Sequence, residues 1–211
     1  MAECLTANRS SYDRAIALLE AGEAVSLPTE TVYGLAAVAS NDEAVANIYH
    51  IKQRPKSKPL SVVVSSAKAA SEIASITPLA RTLMNRFWPG PLTIVLPLRT
   101  GAKVSKNALA GGNSIGMRCP DIDWMAHFKT TGFSAPLVLP SANLSGRPAP
   151  TDAQGVNADI GDKISVIIDG GDCKTGIEST IIGIESDKVR LLRKGALDAD
   201  AFAPFHIDWI S

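Results

Sequence analysis

The segment HIKQRPKSKPLSVVV (residues 50–64) changes character twice within a short span. It begins at the end of a helical pattern, in which Ala44, Val45, Ile48 and Ile51 recur on one face behind an Asn41 cap. It ends in PLSVVVS, a β-branched apolar run that reads as a buried strand. Between the two, Lys52, Arg54, Lys56 and Lys58 occupy alternate positions, and Pro55 and Pro59 bar a regular helix. A helix that passes through a proline-marked connection into a buried strand indicates α/β organisation. In an extended chain, side chains two apart share a side, so the four cations are expected to form a row facing one cavity. A solvated basic loop is the plainer alternative.

The rest of the chain sets that cationic run in context. The 211 residues carry 21 Lys and Arg against 21 Asp and Glu, yet the charge is segregated. Between Ala44 and Pro120 there are eleven cations and a single acid, Glu72, while residues 1–43 and 151–211 are both acidic. Such segregation points to a positive surface for an anion such as a nucleotide or RNA, or to a basic face balanced by acidic neighbours in the fold. No apolar run is long enough to span a bilayer, and the N-terminus lacks the apolar stretch of a secretory signal. Cys4, Cys119 and Cys173 are odd in number and far apart, which implies a reducing, cytoplasmic setting and no Cys-x-x-Cys metal pair. The scattered His50, His127 and His206 argue against a transition-metal site.

Periodicity predicts helices from a Ser10 or Ser11 cap to Gly22, from Asn41 to about Ile51, from Thr77-Pro78 to about Phe87, and over 121–131 and 151–159. Strands are expected at AVSLP (24–28), PLSVVVS (59–65), LTIVLP (92–97), SIGMR (114–118), PLVLP (136–140), SVIID (165–169), ESTIIGI (178–184) and KVRLLR (188–193). Helices alternate with strands early, and strands crowd together late. This implies a single-domain α/β fold with an open, twisted, mixed sheet flanked by helices, its core spanning about residues 8–200 and with no second C-terminal domain in this chain.

A nucleotide site need not be a glycine cradle. No G-x-G-x-x-G occurs, and GGNSIGM (111–117) and GGDCKTGI (170–177) place Met117 and Ile177 where a P-loop requires lysine. A phosphate site must therefore be built mostly from side chains. Three segments at predicted strand ends supply hydroxyls and amides: LPTETVYGLA (27–36), LPSANLSGRPAPT (139–151) and GIESTII (176–182). Open α/β sheets tend to bind ligands at such ends, although Ser/Thr turns explain each segment separately.

Together these segments resemble the YrdC-type threonylcarbamoyl-AMP synthase family. PTETVYGL, IKQRPKSKPL, WPGPLT, MRCP, PSANLSGRPAPT, IDGG, GIESTI and LLRKG run in the family's order from Pro28 to Gly195. The resemblance implies a YrdC-like fold with a positively charged concave cleft. It also implies a nucleotidyltransferase that makes threonylcarbamoyl-AMP and pyrophosphate from L-threonine, bicarbonate (or CO2) and ATP, for threonylcarbamoyladenosine in tRNA. The family's Lys-x-Arg and Ser-x-Asn pairs are present as Lys52, Arg54, Ser141 and Asn143. By the same resemblance these four, with Lys58, Ser114 and Arg193, would hold ATP; Thr31, Tyr33, Arg118 and Ser179 would hold threonine. Mg²⁺ would be carried mainly by the ATP phosphates, and partners would include tRNA and a downstream threonylcarbamoyl transferase. Lys194 and Thr175 depart from the residues common in the family, and the histidine often found after Arg-x-Pro is missing from RCPDIDW. The rival reading is a paralogue of the same fold that binds tRNA or double-stranded RNA without catalysis. Tyr49, Phe87 and Trp88 are the only aromatics in the basic span, and none interleaves with the cationic row, so base stacking is poorly served.

Overall fold

The computed structural model describes residues 1–185, 188–205 and 209–210; His206, one of the three scattered histidines, lies outside them. The elements in chain order are β1 (Glu3–Thr6), α1 (Arg9–Glu20), β2 (Val25–Leu27), β3 (Gly34–Val38), α2 (Asp42–Lys52), β4 (Val62–Val63), α3 (Ala67–Ile73) and α4 (Pro78–Phe87). They continue with β5 (Leu92–Pro97), β6 (Ser114–Arg118), α5 (Asp123–Thr130), β7 (Leu137–Val138), α6 (Ala153–Ile160), β8 (Val166–Asp169), β9 (Thr180–Glu185), β10 (Lys188–Arg193) and β11 (Trp209–Ile210). One sheet runs through all the strands in the order β1-β8-β2-β3-β7-β4-β6-β5-β9-β10-β11. Its pairings are mixed: β4 with β6 and β5 with β9 are parallel, whereas β6 with β5 and β9 with β10 are antiparallel. This is the open mixed α/β architecture expected from the sequence.

Local chemistry explains most element ends. Asn41 caps α2 through its side chain, and Thr77 caps α4 ahead of Pro78. The first helix departs from expectation. Asn8 is its cap, and Ser11 closes a reciprocal pair of side-chain-to-backbone bonds, so the helix begins ahead of the serines. The sequence predicts no strand at β1, β3 or β11 and no helix at α3. GLAAV in β3 is small and apolar with no alternation, because both of its faces are covered.

Alternation along the strands sends side chains to two separate cores. Leu35 and Ala37 of β3, Val62 of β4 and Ile167 of β8 join the larger cluster with α2, α3, α4 and α6. Ala36, Val63, Val166 and Ile168 face the other way and pack with Ala15, Leu18 and Leu19 of α1 and with Trp124 and Phe128 of α5. On β6, β5 and β9 the larger core still takes one face, through Ile115, Met117, Leu92, Ile94, Leu96 and Ile182. The opposite face of these three strands carries the cavity described next. The fold thus creates its site by covering half of one sheet face and leaving the other half open.

Candidate active site

The open half-face is a set of rungs across neighbouring strands. Val63 pairs with Arg118, Thr93 with Ile181, and Ile181 with Arg193, and all five line a cavity of about 740 Å³ including its mouth. One rung along, Gly116, Val95 and Gly183 stand side by side. A Cβ built on Gly116 would lie 3.3 Å from Thr93, and one on Gly183 would lie 3.4 Å from Leu192. Leu192 lies against Gly183, which is buried, and Val95 stands between the two glycines; none of the three lines the cavity. The next rung is Ser114 opposite Pro97. Ser114 shares the face of Arg118 but lies about 13 Å from it, four residues along the strand, and is outside the cavity lining.

At one end of the cavity, Arg118 is buried at the tip of β6. Its Nε donates to Gly90 O (3.1 Å) and Nη1 to Thr31 Oγ1 (2.9 Å). Nη2 lies 2.7 Å from Glu30 Oε2 but out of hydrogen-bond alignment, so this buried donor has no aligned acceptor among the described residues. Thr31 is fixed in turn by Thr29, whose hydroxyl lies 2.9 Å from that of Thr31, donates to Val32 O, and accepts from the amides of Thr31 and Val32. This compact Thr turn is what PTETV encodes.

At the other end, Ser179 Oγ lies 2.9 Å from Thr93 Oγ1 and accepts from Arg193 Nη2 at 3.1 Å. Arg193 also donates twice to the Ser179 carbonyl and pairs with Glu178 at 2.9 Å. Arg54 lines the same cavity, held by the carbonyls of Lys58 (3.2 Å) and Pro59 (2.8 Å). Burial, reinforced by nearby Arg193, pushes the Arg54 guanidinium pKa down, although an arginine stays charged at neutral pH. The lining therefore holds three guanidiniums, Arg54, Arg118 and Arg193, and one carboxylate, Glu178.

The expected row of four cations does not form. Lys52 is the last residue of α2, and Gln53 ends the helix in the left-handed region with φ 49°, so residues 52–58 do not alternate as an extended strand would. Lys56 and Lys58 are exposed and outside the cavity lining; Lys58 contributes its carbonyl to Arg54 and to the Tyr49 hydroxyl. Lys52 is 1% exposed and does not line the cavity either. Its ammonium donates to Ser141 O, to Asn143 O (2.7 Å) and to Asn143 Oδ1 (3.5 Å), which uses all three of its hydrogens. Burial lowers its pKa to about 8. Lys52 therefore staples the loop after β7 to the end of α2, and the backbone bond from Ser145 N to Lys52 O adds to the staple. Asn143 is buried, and its amide donates to Leu144 O and Arg147 O within the loop. Of the Ser-x-Asn pair, only Ser141 lines the cavity.

Tyr33 lines the cavity, but its hydroxyl donates to Gly171 O (2.8 Å) and accepts from Gly170 N (3.0 Å), fixing the IDGG turn. Burial raises its pKa strongly, so it stays a neutral phenol. Cys173 and Cys119 are likewise thiols, each pushed up to about 11 by burial.

Sequence reasoning passed over Glu30 and Thr93. A signal existed for Thr93, a hydroxyl inside the apolar run LTIVLP. Glu30 had only its place inside PTETVYGL.

Fold and site together define an α/β protein with an arginine-lined, side-chain-built cavity on the open half of a mixed sheet. The chain belongs to the Sua5/YciO/YrdC family, whose model, described as telomere recombination, matches residues 17–195. A threonylcarbamoyl-AMP synthase of Bacillus subtilis (strain 168) is 40% identical over 210 residues, covering 97% of this chain and 60% of that protein. One from Pyrococcus abyssi is 40% identical over 189 residues, covering 87% and 53%. The chain thus spans between half and two thirds of the length of these relatives. The crystal structure of P. abyssi Sua5 complexed with L-threonine matches with a TM-score of 0.90 at 33% identity, over all of this chain and 62% of that one. E. coli YciO shares the fold at a TM-score of 0.84 and 22% identity, over 96% of this chain and all of that one.

Proposed function

We propose that this chain joins L-threonine, bicarbonate or CO2 and ATP into threonylcarbamoyl-AMP, releasing pyrophosphate, and so acts as a nucleotidyltransferase supplying tRNA modification. The observation that carries the reading is the single cavity with a carboxylate receptor, Arg118 with Thr31, at one end and a second anion receptor, Arg54 with Arg193, at the other. The threonine complex of a relative with this fold and the names of the curated relatives support it.

The chemistry asks for positioning and charge, not a side-chain nucleophile. Arg118 would take the threonine carboxylate through its Nη donors. The free amine adds to CO2, forming an N–C bond and shedding a proton to solvent. A carbamate oxygen then attacks the α-phosphorus; the new O–P bond forms as the bond to the β-phosphate oxygen breaks, and pyrophosphate leaves with that electron pair. Both reactants are anionic, so Arg54 and Arg193 are placed to lower the repulsion and to steady the charge on pyrophosphate. Ser141 lines the cavity from the loop that Lys52 staples and would border the nucleotide. Mg²⁺ would arrive on the triphosphate. Glu178 is the lining carboxylate, it is already paired with Arg193, and no group of three metal-binding side chains occurs among the described residues. The ion would neutralise phosphate charge there.

The test is pyrophosphate release from ATP by the purified chain with Mg²⁺, with threonine and bicarbonate each omitted in turn. Release that needs all three supports the synthase, and release indifferent to threonine overturns it. Salt-sensitive tRNA binding by a protein that neither binds threonine nor turns over ATP would establish the RNA-binding alternative instead.

A further inference from the structure

Glu30 has no part in the chemistry above, yet it is the acid closest to the carboxylate receptor. Its side chain and that of Arg118 are each 10% exposed, and they meet at 2.7 Å. Its other oxygen accepts from the backbone N–H of Asp121 at 3.2 Å. Glu30 is absent from the cavity lining, to which Arg118 belongs. Three protein groups therefore hold the guanidinium: Gly90 O on Nε, Thr31 Oγ1 on Nη1 and Glu30 on Nη2.

We infer that Glu30 is a positioning residue that also sets the charge selectivity of the amino-acid end of the site. The inference rests on the proposed function, in which Arg118 receives a substrate carboxylate. Its physical basis is charge balance. Arg118 alone would offer an incoming ligand a full positive charge in a poorly solvated place and would attract any carboxylate. With Glu30 at contact distance the receptor is a neutral dipole. A zwitterion, carrying its own ammonium beside its carboxylate, loses little attraction to such a dipole. An anion without the ammonium meets the uncompensated repulsion of Glu30. The pair therefore favours an α-amino acid over a hydroxy acid of the same shape. Glutamine cannot replace Glu30 silently, since either orientation of its amide sets an NH₂ group against Asp121 N–H or Arg118 Nη2.

The experiment compares two ligands that differ at one position: L-threonine and 2,3-dihydroxybutanoate, in which a hydroxyl replaces the amine. Affinities for the wild-type chain, Glu30→Gln and Glu30→Asp are measured by calorimetry, with thermal unfolding as a control for folding. The wild type should prefer threonine. In Glu30→Gln threonine should weaken, and the preference for threonine over the hydroxy acid should shrink about tenfold. Glu30→Asp keeps the charge but withdraws it, so threonine should weaken several-fold with the preference nearly kept. Equal weakening of both ligands in Glu30→Gln would show a purely structural role and overturn the inference. If Glu30→Gln does not fold, an Asp variant that binds threonine like the wild type overturns it as well. A wild-type chain that binds neither ligand removes the proposed function, and this inference with it.

Discussion

Two halves of one sheet face behave in opposite ways. Where β8, β2, β3, β7 and β4 turn Val166, Ile168, Ala36 and Val63 outward, α1 and α5 cover them with Leu18, Leu19, Trp124 and Phe128. Where β6, β5, β9 and β10 turn outward on the same side, Arg118, Thr93 and Arg193 stand beside the apolar Ile181 and Val95, and the larger core sits only behind them. The first half has apolar surface that must be buried. The second sets donors among its apolar side chains, and a helix could not cover those donors without leaving buried polar groups unpaired. The site lies where polar side chains interrupt the apolar pattern.

Substitutions can break or sharpen that contrast. The largest effect is expected in the covered half: Trp124→Ala removes a fully buried ring and its bond to Pro28 O (2.8 Å), and should cost about 3–5 kcal/mol in denaturant melts. The folded fraction should still bind threonine normally. In the open half, Arg118→Ala should weaken threonine by about 2–5 kcal/mol in calorimetry, because it removes a desolvated charge contact. An unchanged affinity would place the carboxylate elsewhere.

Lys52 lies at the edge of the site as scaffold, and its titration tests that assignment. Its pKa of about 8 in the fold compares with 10.5 for a free lysine, because burial disfavours the ammonium. Between those values the unfolded chain binds the extra proton, so the Lys52 contribution to stability rises with pH across that window. The rise totals up to about 3 kcal/mol and is complete above the upper value. Wild type should gain on Lys52→Met from pH 8 upward, and a pH-independent difference would contradict the assignment.

Smaller effects follow. Gly183 is buried with Leu192 against it, so Gly183→Val overpacks that contact and should cost about 1–3 kcal/mol in denaturant melts. Arg147→Ala breaks a largely exposed pair with Asp159 at 2.7 Å and should change stability by less than about 1 kcal/mol. A larger loss would mean that the loop depends on Asp159 through more than its bond from Leu144 N.

The parts of this picture legible in the sequence are those carried by local pattern. SIGMR and KVRLLR are strands with the anticipated bounds, and Asn41 and Thr77 cap the helices they were expected to cap. Strand β3 escaped because a segment covered on both faces shows no alternation. In the site, Thr31, Arg54, Arg118, Ser141, Ser179 and Arg193 come from six separate segments to one cavity, and the order of motifs is what groups them in the sequence. Lys52, Lys58 and Asn143 do not line it: Lys52 is turned into the loop by the helix end, Lys58 is left outside, and Asn143 is spent on its own loop.

The sequence by itself determined which segments alternate, where helices are capped, that no glycine cradle exists, and which residue types are available for an anion. Those are properties of neighbours along the chain. Only the tertiary structure decided that Lys52 is a staple, that Glu30 meets Arg118, and that Ser114 lies away from the cavity on the strand that carries Arg118. Each depends on the distance between groups far apart in sequence, which sheet order and helix ends fix and no local pattern encodes.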